Sequence, residues 1–294
     1  MKNCFIFSGQ GSHRPGMSAN LYQNSNLAKE RIELSNKILG YSISDIMFSS
    51  DEEKLRKTQY AQVAIFIHST IIFDILNDKF NPSIVAGHSL GEFSALYANK
   101  SYDFEAGLKI VSVRAKAMAE CEKQNAGKMS AVIGSSHTLI KKICEKTDCQ
   151  IANINSESQI VISGSDNSIF LATQMLKELG SKVIPLKVSG AFHSKLMSEA
   201  KPALLNAINT STFNKPVCPI VSNYDGIARN DKDEIKNALI QQIDNPVLWL
   251  KSVNTLKEIS SSFIEIGPKK VLGNIIKKID DSLIITNYNC YSDL

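Results

Sequence analysis

The sequence predicts an α/β protein with a largely parallel sheet and an inserted subdomain of the order βαββαβ. Two observations support this fold class. Short apolar runs alternate with helical patterns in both terminal parts of the chain, and a different order of strands and helices occupies residues 128–187. Strands that alternate with helices are typical of a parallel sheet covered by helices. The chain has 294 residues, of which 43% are hydrophobic, so it is long enough to bury a large core.

The first predicted elements are a short strand, a glycine-rich loop and a long helix. Asn3 to Phe7 is an apolar run typical of a strand, and SGQGSHRPGM follows it. Because glycine lets a backbone approach a ligand closely, this loop is either a phosphate-binding turn or a plain tight turn. We expect the helix from about Glu53 to Asn77. Polar residues interrupt its apolar part, Ala61 to Leu76, which predicts a buried helix and not a membrane span.

A unit of strand, turn and helix is predicted after Pro82, in SIVAGHSLGEFSALYANK. Residues 87–91 fit the pattern G-x-S-x-G, whose glycines allow a sharp turn that exposes the serine at a helix N-terminus. There the backbone N–H of Leu90 and the helix dipole favour a developing oxyanion. The bare pattern also arises by chance in loops. The strand before it and the helix after it favour Ser89 as a nucleophile.

The remaining elements define the two predicted domains. A helix is expected over Phe104 to Glu120, and residues 128–187 then show strand, helix, strand, strand, helix and strand. This is the order of a split βαβ or ferredoxin-like unit. Alternating strands and helices resume after it. We therefore expect a subdomain at residues 126–189 and a discontinuous large catalytic domain at residues 1–125 and 190–294.

Composition excludes several classes of function. The net charge of +4 comes without a basic run, which argues against nucleic acid as the main partner. The six cysteines lack metal-ligand spacing, so we expect free thiols. The apolar segment at the N-terminus is too short for a signal peptide, and we expect the chain to stay in the cytosol.

A nucleophilic serine needs a base that accepts a proton near pH 7, and histidine is the usual choice. The sequence has five histidines. His13 lies in the first loop, His68 lies in an apolar helix where packing explains it, and His137 starts a subdomain helix. His88 adjoins the nucleophile and is expected to point away from its hydroxyl. His193 remains as the base, and spacing selects no Asp or Glu as the third member of a triad.

Together these residues resemble the malonyl-CoA:acyl carrier protein transacylase family and the acyltransferase domains of fatty-acid and polyketide synthases. The resemblance covers nearly the whole chain and implies a hydrolase-like α/β core. It depends on ten landmarks in the family's order, which are FSGQGS at 7–12, TQYAQVAIF at 58–66, GHSLGE at 87–92, VSVRAKAM at 111–118, GKMSAVIG at 127–134, ANINSESQIVISG at 152–164, GAFHSKLM at 190–197, PIVSN at 219–223, NPVLW at 245–249 and EIGP at 265–268.

The resemblance implies a role for each catalytic position. Ser89 matches the nucleophile, and His193 matches the base. Gln10 matches the residue whose backbone N–H is the second oxyanion donor beside that of Leu90. The backbone carbonyl of Gln242 corresponds to the one that holds the histidine in place of an acid.

The resemblance also implies residues that bind the acyl group. Arg114 matches the arginine that grips the free carboxylate of malonate, although a lone arginine on an amphipathic helix is otherwise read as a solvated charge. Gln62 matches a glutamine near the acyl pocket, with a capping or core amide as the alternative. Phe192 matches the FHS signature of malonyl selection, where methylmalonyl-selecting domains usually have serine. Asn155 and Gln159 match polar positions that face the cleft, and packing explains them equally well.

Four positions depart from the family pattern, and none of them removes a catalytic group. Ser8 replaces proline, His13 replaces glutamine, Val63 replaces proline and Ala115 replaces glycine. His13 alters the loop near the oxyanion hole. Ala115 adds one methyl group at a helix contact.

The implied activity is transfer of malonyl from malonyl-CoA to the phosphopantetheine thiol of holo acyl carrier protein, for fatty-acid biosynthesis, with no metal or other cofactor. The acidic carrier protein would dock on lysines near the cleft, at positions 182, 187, 277 and 278. A serine hydrolase and a carrier-binding scaffold with an inactive site remain the alternatives. We expect a monomer, since no dimerisation element is obvious.

Overall fold

The computed structural model describes residues 2–77 and 79–294, and within them ten strands form two separate sheets. In chain order the strands are β1 (Cys4–Phe7), β2 (Ile84–Gly87), β3 (Gly127–Ile133), β4 (Gln150–Ser156), β5 (Gln159–Ser165), β6 (Lys182–Pro185), β7 (Ile220–Val221), β8 (Ala228–Arg229), β9 (Ser262–Ile266) and β10 (Ile284–Tyr288). The α-helices of the same residues are α1 (Ala19–Asn24), α2 (Asn26–Leu39), α3 (Ile43–Phe48), α4 (Glu52–Arg56), α5 (Thr58–Asn77), α6 (Leu90–Ala98), α7 (Phe104–Gln124), α8 (His137–Thr147), α9 (Asp166–Glu178), α10 (Lys201–Thr210), α11 (Lys232–Gln241), α12 (Trp249–Lys257) and α13 (Leu272–Ile279).

The large sheet has the strand order β10-β9-β1-β2-β7-β8. Its neighbouring strands run parallel, apart from β7 and β8, which form a short antiparallel pair at one edge. The prediction of an α/β protein with a largely parallel sheet is therefore confirmed. Phe7 pairs with Gly87 at the carboxyl ends of β1 and β2, so the glycine-rich loop and the G-x-S-x-G turn leave the sheet side by side. Ligands of open parallel sheets bind outside these carboxyl ends.

The small sheet has the order β4-β5-β3-β6, and all its neighbours are antiparallel. With α8 and α9 it forms the predicted βαββαβ unit. The limits of this subdomain at residues 126 and 189 stay a prediction. Strand β4 also pairs with the large domain, since Ile154 N–H donates to the carbonyl of Val247 and Val247 N–H donates to that of Ala152, each at 2.9 Å. These bonds hold one edge of the small sheet against the segment between α11 and α12.

The long helix that we predicted from about Glu53 to Asn77 is interrupted. Helix α4, which Asp51 caps, ends before Lys57, and the extended backbone of Lys57 leads into α5. The interruption lets the Thr58 hydroxyl reach Glu122 on α7. Among the described residues, α5 is the one helix long and apolar enough to cross a membrane, and 78% of its most apolar window is buried inside the protein. It is thus a helix of the core, as its interrupting polar residues predicted.

Candidate active site

Ser89 lies in a sharp turn between β2 and α6, with φ 53° and ψ −107°. This is a rare backbone conformation for a residue with a side chain, and such strain is frequent at functional sites. The two flanking glycines make the turn possible. A Cβ on Gly87 would lie 1.9 Å from the backbone carbon of Gly91, and a Cβ on Gly91 would lie 2.0 Å from the carbonyl oxygen of Phe7. The G-x-S-x-G pattern is therefore a steric requirement here.

Asn223, which follows β7, fixes both sides of the turn with one side chain. Its Oδ1 accepts a hydrogen bond from Ser89 N–H at 2.6 Å, and its Nδ2 donates to the carbonyl of Gly87 at 2.6 Å. We did not predict this residue, although it ends the landmark PIVSN. Its contacts hold the backbone of the nucleophile in its strained conformation.

His193 contacts the hydroxyl of Ser89 directly. The distance between its Nε2 and Ser89 Oγ is 2.9 Å, and its Nδ1 is 2.9 Å from the carbonyl oxygen of Gln242. A carbonyl only accepts hydrogen bonds, so Nδ1 carries the proton and Nε2 is free to accept the serine proton. The structure thus brings together three of the predicted catalytic residues, from three distant parts of the chain.

Gln242 uses its side chain as well as its carbonyl. Its Oε1 accepts from Arg114 Nη2 at 2.9 Å, and its Nε2 donates to the carbonyl of Ser89 at 3.0 Å and to Glu92 Oε2 at 2.7 Å. The prediction concerned the carbonyl alone. One buried amide therefore links the nucleophile, the base and the predicted carboxylate-binding arginine.

Arg114 is a buried cation directly behind the nucleophile. Its exposed fraction is 1%, and its Nη2 donates to Ser89 Oγ at 3.1 Å while Nη1 donates to Gln62 Oε1 at 2.5 Å. Burial excludes the alternative of a solvated surface charge. It also lowers the pKa of Arg114 to about 9, against the opposing effect of Glu92, so the guanidinium stays charged at neutral pH.

Glu92 is the buried carboxylate that faces this cation through Gln242. Besides Gln242, the backbone N–H of Asn223 donates to its Oε2 at 3.2 Å. Burial raises the pKa of Glu92 to about 7, whereas these hydrogen bonds and the charge of Arg114 act in the opposite direction. We missed this residue too. The sequence feature that could have indicated Glu92 is its place at the end of the landmark GHSLGE, one helical turn after the nucleophile.

Two backbone N–H groups are available to an oxyanion. Within the part of the chain that the structure describes, neither Gln10 N–H nor Leu90 N–H has a hydrogen-bond partner, and Gln10 lines the same cavity as Ser89. The side chain of Gln10 is held in place, since its Nε2 donates to Thr58 Oγ1 at 3.1 Å. Leu90 is the first residue of α6, where the helix dipole favours negative charge.

A cavity of about 380 Å³ opens over Ser89. Five predicted site residues line it, namely Gln10, Ser89, Asn155, Phe192 and His193. The others, Gln62, Leu90, Arg114 and Gln242, lie behind its wall and are buried. Nη1 and Nη2 of Arg114 contact oxygens of Gln62, Gln242 and Ser89, whereas its Nε has no hydrogen-bond partner among the described residues.

Asn155 and Gln159 extend from the subdomain into the same cavity. Asn155 Oδ1 is 3.0 Å from Nε2 of His88, whose ring packs against Trp249. His88 thus points away from the serine hydroxyl, as expected. Gln159 Oε1 accepts a weak hydrogen bond of 3.4 Å from Lys278.

Two further histidines, His68 and His13, do not contact the serine hydroxyl. His68 is fully buried in α5, where its Nδ1 is 2.9 Å from Ser18 Oγ, which fits a core residue. His13 lines the cavity, although we did not predict a role for it beyond altering its loop.

The acid side of the pH profile should differ from that of an ordinary histidine base. Burial, and after it the positive charge of Arg114, lower the pKa of His193 to about 3. A base with a lowered pKa stays neutral as the pH falls, so we expect kcat/KM for acetyl-CoA to show no decline near pH ~6.5. In Arg114→Ala the decline should move toward that pH without reaching it, because burial is the larger cause. A wild-type decline near pH ~6.5 would contradict this account.

Comparisons with known proteins agree with this geometry. A family model described as "Acyl transferase domain" matches residues 4–285. The malonyl CoA-acyl carrier protein transacylase of Synechocystis sp. is 35% identical over 297 residues, which cover 100% of this chain and 99% of that protein. The crystal structure of MCAT from Streptococcus pneumoniae has a TM-score of 0.93 and 35% identity, and covers 99% of this chain and 97% of its own.

One solved structure contains a partner. It is a type II PKS acyl-carrier protein in complex with its malonyl-transacylase, PlMCAT, to which this chain is similar with a TM-score of 0.95 and 31% identity. The similarity covers 100% of this chain and 97% of that one.

Proposed function

Because the chain belongs to the acyl transferase domain family, and within it to the malonyl-CoA:acyl carrier protein transacylases, we propose that Ser89 carries the malonyl group as an ester between two substrates. The chain transfers a malonyl group from malonyl-CoA to acyl carrier protein in fatty-acid synthesis. One observation supports the role of Ser89: its Oγ contacts both the base His193, at 2.9 Å, and the buried cation Arg114, at 3.1 Å.

In the first half-reaction, Ser89 gives its proton to Nε2 of His193 while Oγ attacks the thioester carbonyl of malonyl-CoA. The N–H groups of Gln10 and Leu90 stabilise the oxyanion of the tetrahedral intermediate. Its collapse breaks the C–S bond, and His193 returns the proton to the sulfur of the departing CoA. The malonyl ester on Ser89 remains.

In the second half-reaction, His193 takes the proton of the phosphopantetheine thiol of holo acyl carrier protein. The thiolate attacks the ester carbonyl, the same N–H groups stabilise the oxyanion, and the C–Oγ bond breaks as His193 returns the proton to Ser89. Throughout, the carbonyl of Gln242 orients the imidazole without adding a charge, which is sufficient for a thioester and a thiol.

Arg114 binds the free carboxylate of the malonyl group. The amide oxygens of Gln62 and Gln242 occupy the guanidinium in the absence of substrate, and a carboxylate takes their place because a charged acceptor forms the stronger, bidentate contact. That carboxylate also offsets the positive charge of Arg114, which is, after burial, the second cause of the lowered pKa of His193. The base is therefore stronger when a malonyl group is bound than when the site is empty.

A hydrolase would use the same serine and histidine with water as the acceptor. It has no use for a buried cation beside the nucleophile, and burying an unneeded charge is costly. Arg114 therefore favours transfer of an acidic acyl group.

Phe192 limits the size of the acyl group, since its buried ring lines the cavity beside His193. We expect Phe192→Ser to raise kcat/KM for methylmalonyl-CoA relative to malonyl-CoA by about tenfold to a hundredfold, because a branching methyl then has room. Intact-mass measurement of the acyl-enzyme with a panel of malonyl-, methylmalonyl- and acetyl-CoA checks this. Wild-type protein should acylate with malonyl first.

Phe170→Ser is the matched control, because Phe170 is 58% exposed on α9 and does not line the cavity. It should leave the order of preference unchanged. If Phe192→Ser and Phe170→Ser show the same preference for malonyl-CoA over methylmalonyl-CoA, Phe192 does not determine the selectivity.

The proposal also includes the location of the enzyme, its oligomeric state and the surface that binds the carrier protein. The chain acts in the cytosol as a monomer, and its acidic carrier protein docks on lysines near the cleft. Lys187 supports this because it lines the cavity, and Lys278 because it contacts Gln159. Light scattering after size-exclusion chromatography tests the monomer.

A further inference from the structure

A line of hydrogen bonds connects the buried cation Arg114 with a carboxylate two helical turns further along α7. Arg114 Nη1 donates to Gln62 Oε1 at 2.5 Å, and Gln62 Nε2 donates to Gln10 Oε1 at 3.4 Å. Gln10 Nε2 donates to Thr58 Oγ1 at 3.1 Å, and the Thr58 hydroxyl donates to Glu122 Oε1 at 2.5 Å. We call these five side chains the relay. Every bond in the relay points from the cation toward the carboxylate.

The charges at the two ends fix the direction of the bonds between them. A guanidinium only donates hydrogen bonds, and an ionised carboxylate only accepts them. The single proton of the Thr58 hydroxyl therefore points at Glu122, and the lone pairs of that hydroxyl are left to accept from Gln10. A side-chain amide can turn over and exchange its donor for its acceptor. The relay allows one orientation for the amide of Gln10 and one for that of Gln62.

Glu122 is a half-buried carboxylate whose contacts are hydroxyl groups. Burial raises the pKa of Glu122, whereas the hydrogen bonds from Thr58 and Ser189 act in the opposite direction. On the exposed side of the same helix, Glu120 pairs instead with Lys123 at 3.1 Å. Burying a carboxylate costs free energy unless it is paired or hydrogen-bonded, so the two hydroxyls are what keep Glu122 in its place.

Gln10 is the member of the relay that meets the reaction. Its backbone N–H is one of the two groups available to the oxyanion, and it lies in the glycine-rich loop after β1. Gly11, the next residue, has φ 98° and open space around its Cα. Glycine restrains the backbone little. The contacts of the Gln10 side chain with Thr58 and Gln62 therefore restrain the position of its N–H.

Glu122 also contacts the segment that leads to the base. Ser189 Oγ donates to Glu122 Oε2 at 3.2 Å, and a Cβ on Gly190 would lie 2.5 Å from Glu122 Cγ. Ser189 is exposed, whereas Thr58 is only 2% exposed. Hydrogen bonds are stronger away from water, so the bond to Thr58 is the more important of the two.

We propose that Glu122 is a positioning residue that acts through Thr58 and the Gln10 side chain to hold the backbone N–H of Gln10 in place for the oxyanion. Glu122 itself does not line the cavity. The inference rests on the proposed function, because that function makes Gln10 N–H an oxyanion donor. The oxyanion forms after the donor has bound, so a loose Gln10 lowers the rate of acylation and not the affinity for the donor.

The kinetic test measures acylation of Ser89 by rapid mixing, with release of CoA as the readout. Glu122→Ala and Thr58→Val should each lower the maximal rate about tenfold and leave the half-saturating donor concentration within about twofold. Acetyl-CoA should show the loss as well as malonyl-CoA, because both thioesters form the oxyanion. The double variant should be no slower than the slower single variant, since both changes break the same relay. Additive losses in the double variant would overturn the proposal.

Three further variants separate the relay from a merely structural role. Glu122→Gln keeps an oxygen that accepts from Thr58, so it should acylate faster than Glu122→Ala. Ser189→Ala removes the other hydroxyl contact, and Glu120→Ala removes the exposed carboxylate; both should stay within about twofold of wild type. A loss in Ser189→Ala as large as that in Glu122→Ala, or a change confined to the half-saturating concentration, would contradict the relay.

Hydrogen exchange of the Gln10 side-chain amide tests the relay without catalysis. Its NMR signal is assigned by its loss in Gln10→Ala. The amide protons should exchange slowly in wild type and Glu120→Ala and at least about tenfold faster in Glu122→Ala and Thr58→Val. Equal exchange in all four proteins would overturn the relay. If wild-type Ser89 is not malonylated by malonyl-CoA, the proposed function fails, while this measurement still supports or overturns the relay.

Discussion

Ser89→Ala is expected to abolish the malonyl-enzyme and to lower the rate of malonyl transfer by at least about 10⁴-fold. The reason is that the covalent step has no substitute in this cavity, where the base His193 lies 2.9 Å from Ser89 Oγ. Intact-mass measurement after mixing with malonyl-CoA should detect one malonyl group on wild-type protein and none on the variant.

Ser94→Ala supplies the control for this result. Ser94 lies on α6, the helix that follows Ser89, is fully buried and has no side-chain hydrogen bond among the described residues, yet it does not line the cavity. The variant should acylate as wild type does. A malonyl adduct that persists in Ser89→Ala would show that another residue is the nucleophile.

Arg114→Ala is expected to lower kcat/KM for malonyl-CoA by about 10²- to 10³-fold and to favour acetyl-CoA relative to it. Malonyl transfer is lost because the variant lacks the guanidinium that binds the malonyl carboxylate with two hydrogen bonds. No other cation among the described residues contacts Ser89 Oγ and could replace it. Arg114→Lys keeps a charge without the fork, so its malonyl activity should lie between those of wild type and the alanine variant. Steady-state kinetics with both donors measure the ratio.

Removing a buried cation also affects stability, and a control is needed. Glu92 can take up a proton when Arg114 is absent, since burial already raises its pKa to about 7. Arg31→Ala breaks another partly buried ion pair, with Asp74 at 2.6 Å, away from the cavity. It should lower the melting temperature and leave the ratio of malonyl to acetyl activity unchanged. An unchanged ratio in Arg114→Ala would remove the carboxylate-binding role.

Local patterns predicted the parts of the site that are close in sequence. The turn around Ser89 was predictable because its steric needs are met by glycines two residues before and after it. The subdomain was predictable because six consecutive elements have a characteristic order. His193 was found because only five histidines are present.

Contacts between distant residues were not predictable in the same way. Asn223 and Ser89 are 134 positions apart, and only the pairing of β2 with β7 brings them together. The carbonyl of Gln242 carries no side-chain signal, so it came through the resemblance, and the contacts of its amide became visible only in the fold. The same is true of the burial of Arg114.

Some elements of the fold were missed for local reasons. Helices α1 to α3 between Ala19 and Phe48 are short or amphipathic, with few apolar residues in any one run. The break at Lys57 has no proline or glycine to indicate it. At the break, the carbonyl of Lys57 accepts the backbone N–H groups of Tyr60 and Ala61 in the first turn of α5, and the Thr58 hydroxyl contacts Glu122 on a distant helix.

The fate of a preformed malonyl-enzyme tests the central claim most directly. Wild-type protein is first malonylated and freed of excess malonyl-CoA, and it is then mixed with holo acyl carrier protein in a single turnover. Malonyl carrier protein and free malonate are measured together. The account predicts that malonyl carrier protein is the main product and that free malonate stays minor. Free malonate as the main product in the presence of the carrier would contradict it.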